Sequence, residues 1–331
     1  MSISRRNFLE TAALGGIAVC CPAGVSAATS TDENAGKMPT RVLGKTGARV
    51  SILAMGGGSR YLMYKEEDQA IQAIQKALDL GITYIDTADD YGNHLSERRI
   101  GMALKGRRQG VFVATKLSNR DGDQAERIVE ESLKALDIGT LDLVHIHSLT
   151  DEDDLSRIEA KGGVLEQVMK MRDQKMMRFI GITSHSDPTV LRAALERHDF
   201  DCTQMALNAA LVGMKGGSRG MIPNEALKTS FEKKALPVAV RKNMGVLAIK
   251  VFAQEALVGE ASTEKLLYYT LSLPVTAAVV GMPKLEHIEE NTRLAKSFQP
   301  LGKAEMRGMA EKMAEKHKAR LDQFFSTHVD A

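Results

Sequence analysis

The stretch that decides the fold is Ile82-Thr83-Tyr84-Ile85-Asp86-Thr87-Ala88-Asp89-Asp90-Tyr91-Gly92. Its first four residues are β-branched or aromatic, which predicts a buried strand. The chain then changes to a polar loop that carries acids, a phenol and a glycine. Because side chains alternate along a strand, Tyr84 and Asp86 share one face, and Asp86 lies at the C-terminal tip. In a parallel α/β barrel the catalytic groups lie at that end of the strands, so we expect the active site there.

Strands and helices alternate along the rest of the chain. Residues 41–51 contain two short strands around a glycine-containing turn, which predicts an N-terminal β-hairpin. The predicted barrel strands are residues 52–55, 82–85, 111–115, 141–146, 179–182, 203–207, 246–249 and 276–280. Eight alternating units of this kind predict an all-parallel, closed α/β barrel.

Four local expectations accompany this fold. Gly56-Gly57-Gly58 should leave backbone that a ligand can approach closely. Ser96 should cap the helix that follows it. Residues 213–228 have no clear period and are expected to form a long loop, a candidate lid. Residues 303–325 should form a terminal helix outside the barrel.

The composition favours a catalytic or small-molecule-binding protein. The chain has 331 residues, with 44 basic and 42 acidic side chains and a formal net charge of +2. This balance gives no electrostatic footprint for nucleic acid or an acidic membrane. Tryptophan is absent and aromatic residues are scarce, which also argues against a base-stacking surface.

The first 27 residues have the three parts of an export signal. Ser4-Arg5-Arg6-Asn7-Phe8-Leu9 resembles the twin-arginine motif, a small and apolar run follows over residues 11–21, and Val25-Ser26-Ala27 resembles a cleavage site. We therefore expect a signal peptide (1–27), a flexible spacer (28–40) and a barrel domain (41–331). The expected partner is the twin-arginine export machinery, and the expected location is the periplasm or outside the cell.

Alternative interpretations of the leader are weaker. The apolar run is too short for a permanent membrane anchor. A lipoprotein site at Cys20 is disfavoured because bulky Val19 precedes it, and a chance basic N-terminus would have to contain all three parts in order. The mature chain keeps only Cys202, so no internal disulfide is expected.

Three further segments accompany residues 86–92: Ser96-Glu97-x-x-Ile100-Gly101-x-Ala103-Leu104, Glu131-Ser132-Leu133-Lys134-x-Leu136 and Asp142-Leu143-Val144-His145-Ile146-His147. In this order and spacing they resemble the aldo-keto reductase superfamily, over about residues 40–300. The resemblance implies a (β/α)8 TIM barrel with a hairpin at its bottom. It also implies reduction of aldehyde, ketone or sugar-like carbonyls with NADP(H), NAD(H) remaining open.

The resemblance implies a catalytic tetrad of Asp86, Tyr91, Lys116 and His147. Carbonyl reduction needs an acid for the developing alkoxide while hydride arrives from the nicotinamide. A phenol ionises near pH ~10, so we expect the Lys116 ammonium to lower the pKa of Tyr91. Asp86 should hold Lys116 charged, and His147 should donate to the substrate oxygen.

Structural roles for these residues also have to be considered. Lys116 ends an apolar strand and could merely extend its ammonium to solvent, while Asp86 could cap a loop. His145 shares a face with His147 and should be a buried, hydrogen-bonded core histidine; a metal site formed by this pair is the lesser alternative.

No glycine-rich Rossmann fingerprint is present, so barrel loops must hold the nucleotide. In the family, side chains after strands five and six bind the carboxamide, an aromatic ring from strand seven stacks on the nicotinamide, and cations bind the 2′-phosphate. Val251 stands at the position of that ring, and Phe252 beside it is expected to replace it. The predicted cofactor-binding residues are Thr183, Ser184, Gln204, Lys250, Phe252, Gly281, Lys284, Glu290 and Asn291, with Arg293 as a second cation.

Two other functions compete with a reductase. One is a redox-sensing or regulatory module that binds nucleotide with negligible turnover, although such a module has no need for Tyr91 beside Lys116. The other is a metal-dependent isomerase that uses His145 and His147. The tail after Gly302 has no cysteine, which excludes the iron–sulfur variant of the family.

Overall fold

The computed structural model describes residues 36–217, 220–224 and 226–326. The predicted signal peptide (1–27) and most of the predicted spacer (28–40) lie outside these residues. Within the described ranges, none of the helices combines the length and the apolarity that a membrane crossing requires.

An N-terminal hairpin precedes the barrel, as the sequence predicts. It consists of β1 (Thr40–Val42) and β2 (Arg49–Ser51), which pair antiparallel around a 3-10 turn at Gly44–Thr46. Leu43 is fully buried in an apolar cluster with inward-facing barrel residues such as Tyr84 and Leu247. The hairpin therefore closes the end of the barrel opposite the catalytic loops.

The prediction of an eight-stranded parallel barrel is confirmed. In chain order its strands are β3 (Leu53–Gly56), β4 (Tyr84–Asp86), β5 (Phe112–Leu117), β6 (Leu141–Ile146), β7 (Met177–Ser184), β8 (Cys202–Ala206) and, after a hairpin of β9 (Gly213–Gly217) and β10 (Gly220–Asn224), β11 (Gly245–Ile249) and β12 (Ala277–Val280). The sheet closes because β12 pairs with β3 on one side and with β11 on the other.

Helices surround this sheet. They are α1 (Glu67–Asp79), α2 (Leu95–Leu104), α3 (Gly122–Leu136), α4 (Glu152–Ile158), α5 (Val164–Asp173), α6 (Pro188–Arg197), α7 (Phe231–Lys234), α8 (Leu236–Arg241), α9 (Thr263–Ser272), α10 (Leu285–Lys296) and α11 (Lys303–Ser326). In α1, for example, Ala70, Ile74 and Ala77 recur at helical spacing and form the buried face. One apolar cluster fills the space between helices and sheet, and a second fills the barrel interior.

Two local expectations are wrong. Residues 213–217 and 220–224 form the strands of the β9–β10 hairpin where the sequence predicted an irregular loop, with Met214 facing Pro223 across the pair. Ser96 does not cap α2, because the helix begins at Leu95, after His94 in a left-handed conformation (φ 63°). The Ser96 hydroxyl instead donates to the Gly57 carbonyl and accepts from Thr87, tying the loop after β3 to the loop after β4.

Candidate active site

Three strand ends and the loop after β4 bring Asp86, Tyr91, Lys116 and His147 together. The Lys116 ammonium lies 2.5 Å from Asp86 Oδ2 and 3.3 Å from the Tyr91 hydroxyl, and it donates to the Thr87 carbonyl at 2.7 Å. The rings of Tyr91 and His147 meet edge to face, with centroids 5.9 Å apart. The structure thus assembles all four residues of the predicted tetrad in one place.

The Lys116–Asp86 pair is almost completely buried. Their side chains are 2% and 4% exposed, so neither charge is supported by solvent. The amide of Gln204 donates to the second oxygen of Asp86 at 2.9 Å. Burial alone would lower the pKa of Lys116, but Asp86 and then Tyr91 raise it, and the net shift is upward. Lys116 is therefore an ammonium at neutral pH, not a lysine extended to solvent.

The expectation of a lowered pKa for Tyr91 is wrong for this state of the site. Burial raises the pKa of the phenol most strongly, Lys116 lowers it, and Asp86 raises it again. Since Asp86 already neutralises the ammonium, the net charge beside Tyr91 is small and burial decides the direction. Tyr91 is consequently a protonated phenol at neutral pH.

A second polar array surrounds His147. Its Nδ1 lies 3.0 Å from Ser118 Oγ and 3.4 Å from Asp90 Oδ2, and Ser118 Oγ is in turn 3.0 Å from Asp89 Oδ1. The His147 carbonyl accepts from Arg120 at 2.7 Å, which fixes the main chain at this position. The sequence motif contains Asp89 and Asp90, but nothing in it indicated that they would meet His147.

His145 is buried as predicted, but the expected hydrogen bond is absent. Neither ring nitrogen has a partner among the described residues, and burial, Lys116 and His147 hold its pKa well below the usual value. The ring fits because Gly181 has no side chain: a Cβ there would lie 2.3 Å from His145 Nδ1. His145 also does not join His147 in a cluster of potential metal ligands; the side chains that approach His147 are Asp89 and Asp90. The lesser alternative, a metal site built on His145 and His147, therefore finds no third ligand among the described residues.

Asp86, Tyr91 and His147 line a cavity of about 1430 Å³ at the C-terminal end of the barrel, and Lys116 is buried behind Asp86 and Tyr91. Of the nine predicted cofactor residues, seven line it: Thr183, Gln204, Lys250, Phe252, Gly281, Glu290 and Asn291. Both Val251 and Phe252 line the cavity. The Phe252 ring therefore reaches it, although Phe252 lies one residue after the position at which the family has its aromatic ring.

Two predicted cofactor residues do not line the cavity. Ser184 is fully buried, and its hydroxyl donates to the Leu149 carbonyl at 2.7 Å; by alternation along β7 it faces away from the side that carries Thr183. Lys284 is exposed at the start of α10, outside the lining. Of the three glycines expected to leave backbone open to a ligand, Gly56 and Gly58 line the cavity, whereas a Cβ at Gly57 would lie 2.8 Å from the Asp86 carbonyl oxygen. Gly57 makes room for the protein's own chain.

Several cavity residues were missed by sequence reasoning. Arg60, Arg120 and His185 line the cavity, and no motif or period marks them. Burial, together with Lys250 and His147, lowers the pKa of His185 to about 3, so its ring is neutral. Burial lowers the pKa of Lys250 to about 8, reinforced by Lys116 and Arg60. In the described part of the chain no acid pairs with Lys250, so the cavity offers an uncompensated cation.

Comparison with known proteins gives a consistent result. The sequence model of the Aldo/keto reductase family matches residues 53–267. The chain is 25% identical to the uncharacterised oxidoreductase YqkF of Bacillus subtilis over 289 residues, covering 78% of this chain and 91% of the relative. It is 26% identical to L-galactose dehydrogenase of Arabidopsis thaliana over 297 residues, covering 80% and 91%.

Solved structures share the fold. The holo form of aldo-keto reductase AKR11C1 from Bacillus halodurans superimposes with a TM-score of 0.66 at 24% identity, covering 84% of this chain and 96% of that one. An aldo-keto reductase from Klebsiella pneumoniae, solved in complex with NADPH, gives a TM-score of 0.66 at 20% identity, with 84% and 95% covered.

Proposed function

The chain belongs to the aldo/keto reductase family, and we propose that it uses NADP(H) to reduce the carbonyl group of an aldehyde, a ketone or an open-chain sugar. The observation that carries the proposal is the contact of one buried ammonium, that of Lys116, with both Asp86 and the Tyr91 hydroxyl. A structural ion pair needs no phenol on its cavity side. A phenol held there is a proton donor whose conjugate base has a cation in place.

The proposed roles follow from these contacts. The nucleotide supplies the hydride when it is bound. Tyr91, protonated because its pKa is raised, donates the proton to the oxygen of the substrate. The phenolate that remains is stabilised by the ammonium of Lys116, which Asp86 holds in the buried site. His147 lies beside Tyr91 and provides a second polar group for the same oxygen.

The cavity fits a nucleotide together with a second ligand. Its volume exceeds the roughly 300–1,000 Å³ of pockets that take one small molecule. Thr183, Gln204, Glu290 and Asn291 offer hydroxyl, amide and carboxylate groups at its wall, and Lys250 offers a cation that has no acidic partner among the described residues. Phosphate groups are the ligands that such a cation suits. The relative from Klebsiella pneumoniae binds NADPH, which supports the phosphorylated nucleotide for this chain.

A sugar-like substrate is supported by one relative and by the site. The Arabidopsis thaliana relative is an L-galactose dehydrogenase. The cavity wall of this chain carries several polar groups, among them Asp90, Ser118 and His185, that hydroxyl groups of a sugar would satisfy.

Tyr91→Phe tests the chemistry. The variant should lose about 10²- to 10⁴-fold in kcat on any carbonyl that the wild type reduces, with nucleotide affinity retained. Tyr268→Phe is the matched control, because it removes a phenol that bonds the Leu294 carbonyl outside the cavity. Turnover near the wild-type rate in Tyr91→Phe would refute the assignment. A wild-type protein that binds NADP(H) but reduces no member of a carbonyl panel would instead indicate the redox-sensing module.

We also propose that the protein is exported by the twin-arginine route. The support is the order of its N-terminal parts, Arg5-Arg6, an apolar run and Val25-Ser26-Ala27. Replacing both Arg5 and Arg6 with lysine should retain the precursor in the cytoplasm while conserving charge. Fractionation of cells that express each form provides the measurement. Equal export of both forms would refute the route.

A further inference from the structure

The Nδ1 atom of His147 lies between two oxygen atoms that compete for it. Ser118 Oγ is 3.0 Å away and Asp90 Oδ2 is 3.4 Å away. The ring lines the cavity, and its other nitrogen, Nε2, has no hydrogen-bond partner among the described residues. The question is therefore which nitrogen carries the proton when the ring is neutral.

The contact with Asp89 determines whether the Ser118 hydroxyl donates to His147 or accepts from it. The Ser118 hydroxyl donates to Asp89 Oδ1 at 3.0 Å, and the Ser118 amide reaches Asp89 Oδ2 at 3.4 Å. A hydroxyl has one hydrogen to donate, so a hydroxyl that donates to Asp89 presents only lone pairs to His147. The Asp90 carboxylate likewise presents only lone pairs. Both neighbours of Nδ1 are then acceptors, and the hydrogen has to be on Nδ1.

We propose that Asp90 is a positioning residue for the proposed reductase: it keeps a proton on Nδ1 of His147, so that the ring can donate to a substrate oxygen only as an imidazolium. The proposal rests on the proposed function. A neutral ring of this tautomer has a lone pair at Nε2, which accepts the proton of an alcohol and cannot donate to a carbonyl. Carbonyl reduction would then require protonated His147, and alcohol oxidation would require the neutral ring.

The charges of the groups around His147 determine how easily its ring takes up a proton. Lys116, which carries a positive charge, and Tyr91 lie on one side, neutral His145 and His185 lie nearby, and Arg120 binds the His147 carbonyl. Asp86 already compensates the charge of Lys116, and Asp90 is the carboxylate that lies against His147 itself, so a proton added to the ring meets an anion there. Burial acts to raise the pKa of Asp90, but the contact with His147, a hydrogen bond with Ser118 and the charge of Lys116 together outweigh burial, and the pKa is lowered.

The strength of this contact depends on what fills the cavity. The Asp90 side chain is 48% exposed and that of His147 is 13% exposed, so water weakens their attraction in the free protein. A ligand that covers Asp90 would remove this screening. The effect of Asp90 should therefore be larger in the ternary complex, which kcat reports, than in the free enzyme, which kcat/KM reports.

Asp90→Asn tests the proposal, because the amide keeps the shape and removes the charge. In carbonyl reduction, the alkaline limb of the pH profile should move about one pH unit to lower pH, an approximately tenfold loss on that limb. Alcohol oxidation should not lose activity at the same pH. Asp153→Asn, which removes an exposed carboxylate from α4, is the control for net charge and should leave both profiles in place. Equal losses in both directions at every pH would indicate a merely structural role and overturn the proposal.

A spectroscopic measurement separates this proposal from the proposed function. Long-range proton–nitrogen NMR correlations of the intact protein identify the tautomer of His147, assigned by its loss in His147→Gln. We expect the hydrogen of the neutral ring on Nδ1. A hydrogen on Nε2 would overturn the proposal whether or not the protein reduces a carbonyl. Conversely, a protein without turnover that shows the Nδ1 tautomer would refute the proposed function and retain this arrangement.

Discussion

Replacement of Asp86 by asparagine should destabilise the protein much more than loss of an ion pair usually does. The substitution leaves the Lys116 ammonium, 2% exposed, without its counter-ion. Breaking a buried pair typically costs about 3–5 kcal/mol in free energy of unfolding. Lys116 would keep the Thr87 carbonyl at 2.7 Å and Tyr91 at 3.3 Å, which favours the lower end of that range. The amide nitrogen of the new asparagine would also face a donor, either Gln204 or Lys116.

The pH dependence gives the prediction its sign. In the wild type the pKa of Lys116 is raised, so its stabilising contribution is complete below the unfolded pKa of roughly 10.4 and disappears only above the folded value. Without Asp86, burial dominates and the pKa falls below the unfolded value. The penalty in Asp86→Asn should therefore be full at neutral pH and should shrink as the pH rises towards that of the unfolded lysine.

Urea denaturation at several pH values measures this, with Asp86→Asn/Lys116→Met as the companion variant. The double variant removes both charges and should recover a large part of the lost stability at neutral pH. Glu166→Gln, which breaks the exposed pair with Lys170, should have little effect. If the double variant is no more stable than Asp86→Asn alone, or if the loss in Asp86→Asn does not depend on pH, the buried-charge explanation is refuted.

Three other perturbations have definite expected outcomes. Gly181→Ala places a Cβ 2.3 Å from the fully buried His145 ring and should cost at least about 1–3 kcal/mol by thermal denaturation, whereas Gly139→Ala, with nothing within 4 Å, should not. Nucleotide affinity should fall about tenfold per pH unit above pH 8, because Lys250 has a pKa of about 8 in the free protein and must be protonated to bind phosphate. In binding titrations, Lys250→Arg should abolish this pH dependence. A wild-type affinity that does not change with pH would contradict the prediction. Lys284→Ala, outside the cavity lining, should change NADP(H) and NAD(H) affinity equally or not at all; a selective loss of NADP(H) would show that it reaches the 2′-phosphate.

Much of the fold could be predicted because it depends on local patterns. The strands that contain Ile85, Val113 and Val144 are apolar runs between helices of clear period, and such units have essentially one way to close. The hairpin of β9 and β10 was not predicted because it lacks such a local pattern. Its strands are rich in glycine, contain Pro223 and lack alternation, so only the antiparallel pairing reveals them.

The candidate site divides in the same way. Asp86, Tyr91, Lys116 and His147 are positioned by strand ends, and strand ends could be located in the sequence. The environment of each residue could not. The raised pKa of Tyr91 depends on how much of the Lys116 charge Asp86 cancels, and the array around His147 joins loops that are far apart in the chain. Ser184 was expected at the cavity wall but does not reach it, because alternation along β7 turns its side chain to the side opposite Thr183.

The hairpin at the bottom of the barrel has a consequence for how ligands enter and leave the cavity. Gly44 packs so tightly there, at φ 50°, that a Cβ would lie 2.3 Å from the Gly245 amide, and Leu43 fills the space above it. In the part of the chain that the structure describes, the hairpin closes this end of the barrel, and the cavity opens at the opposite, C-terminal end. The two ligands of a two-substrate reaction therefore enter and leave through the same opening. The ligand that binds deeper in the cavity can dissociate only after the outer ligand has left. Under steady turnover, the ligand that lies nearer the opening therefore has to dissociate first.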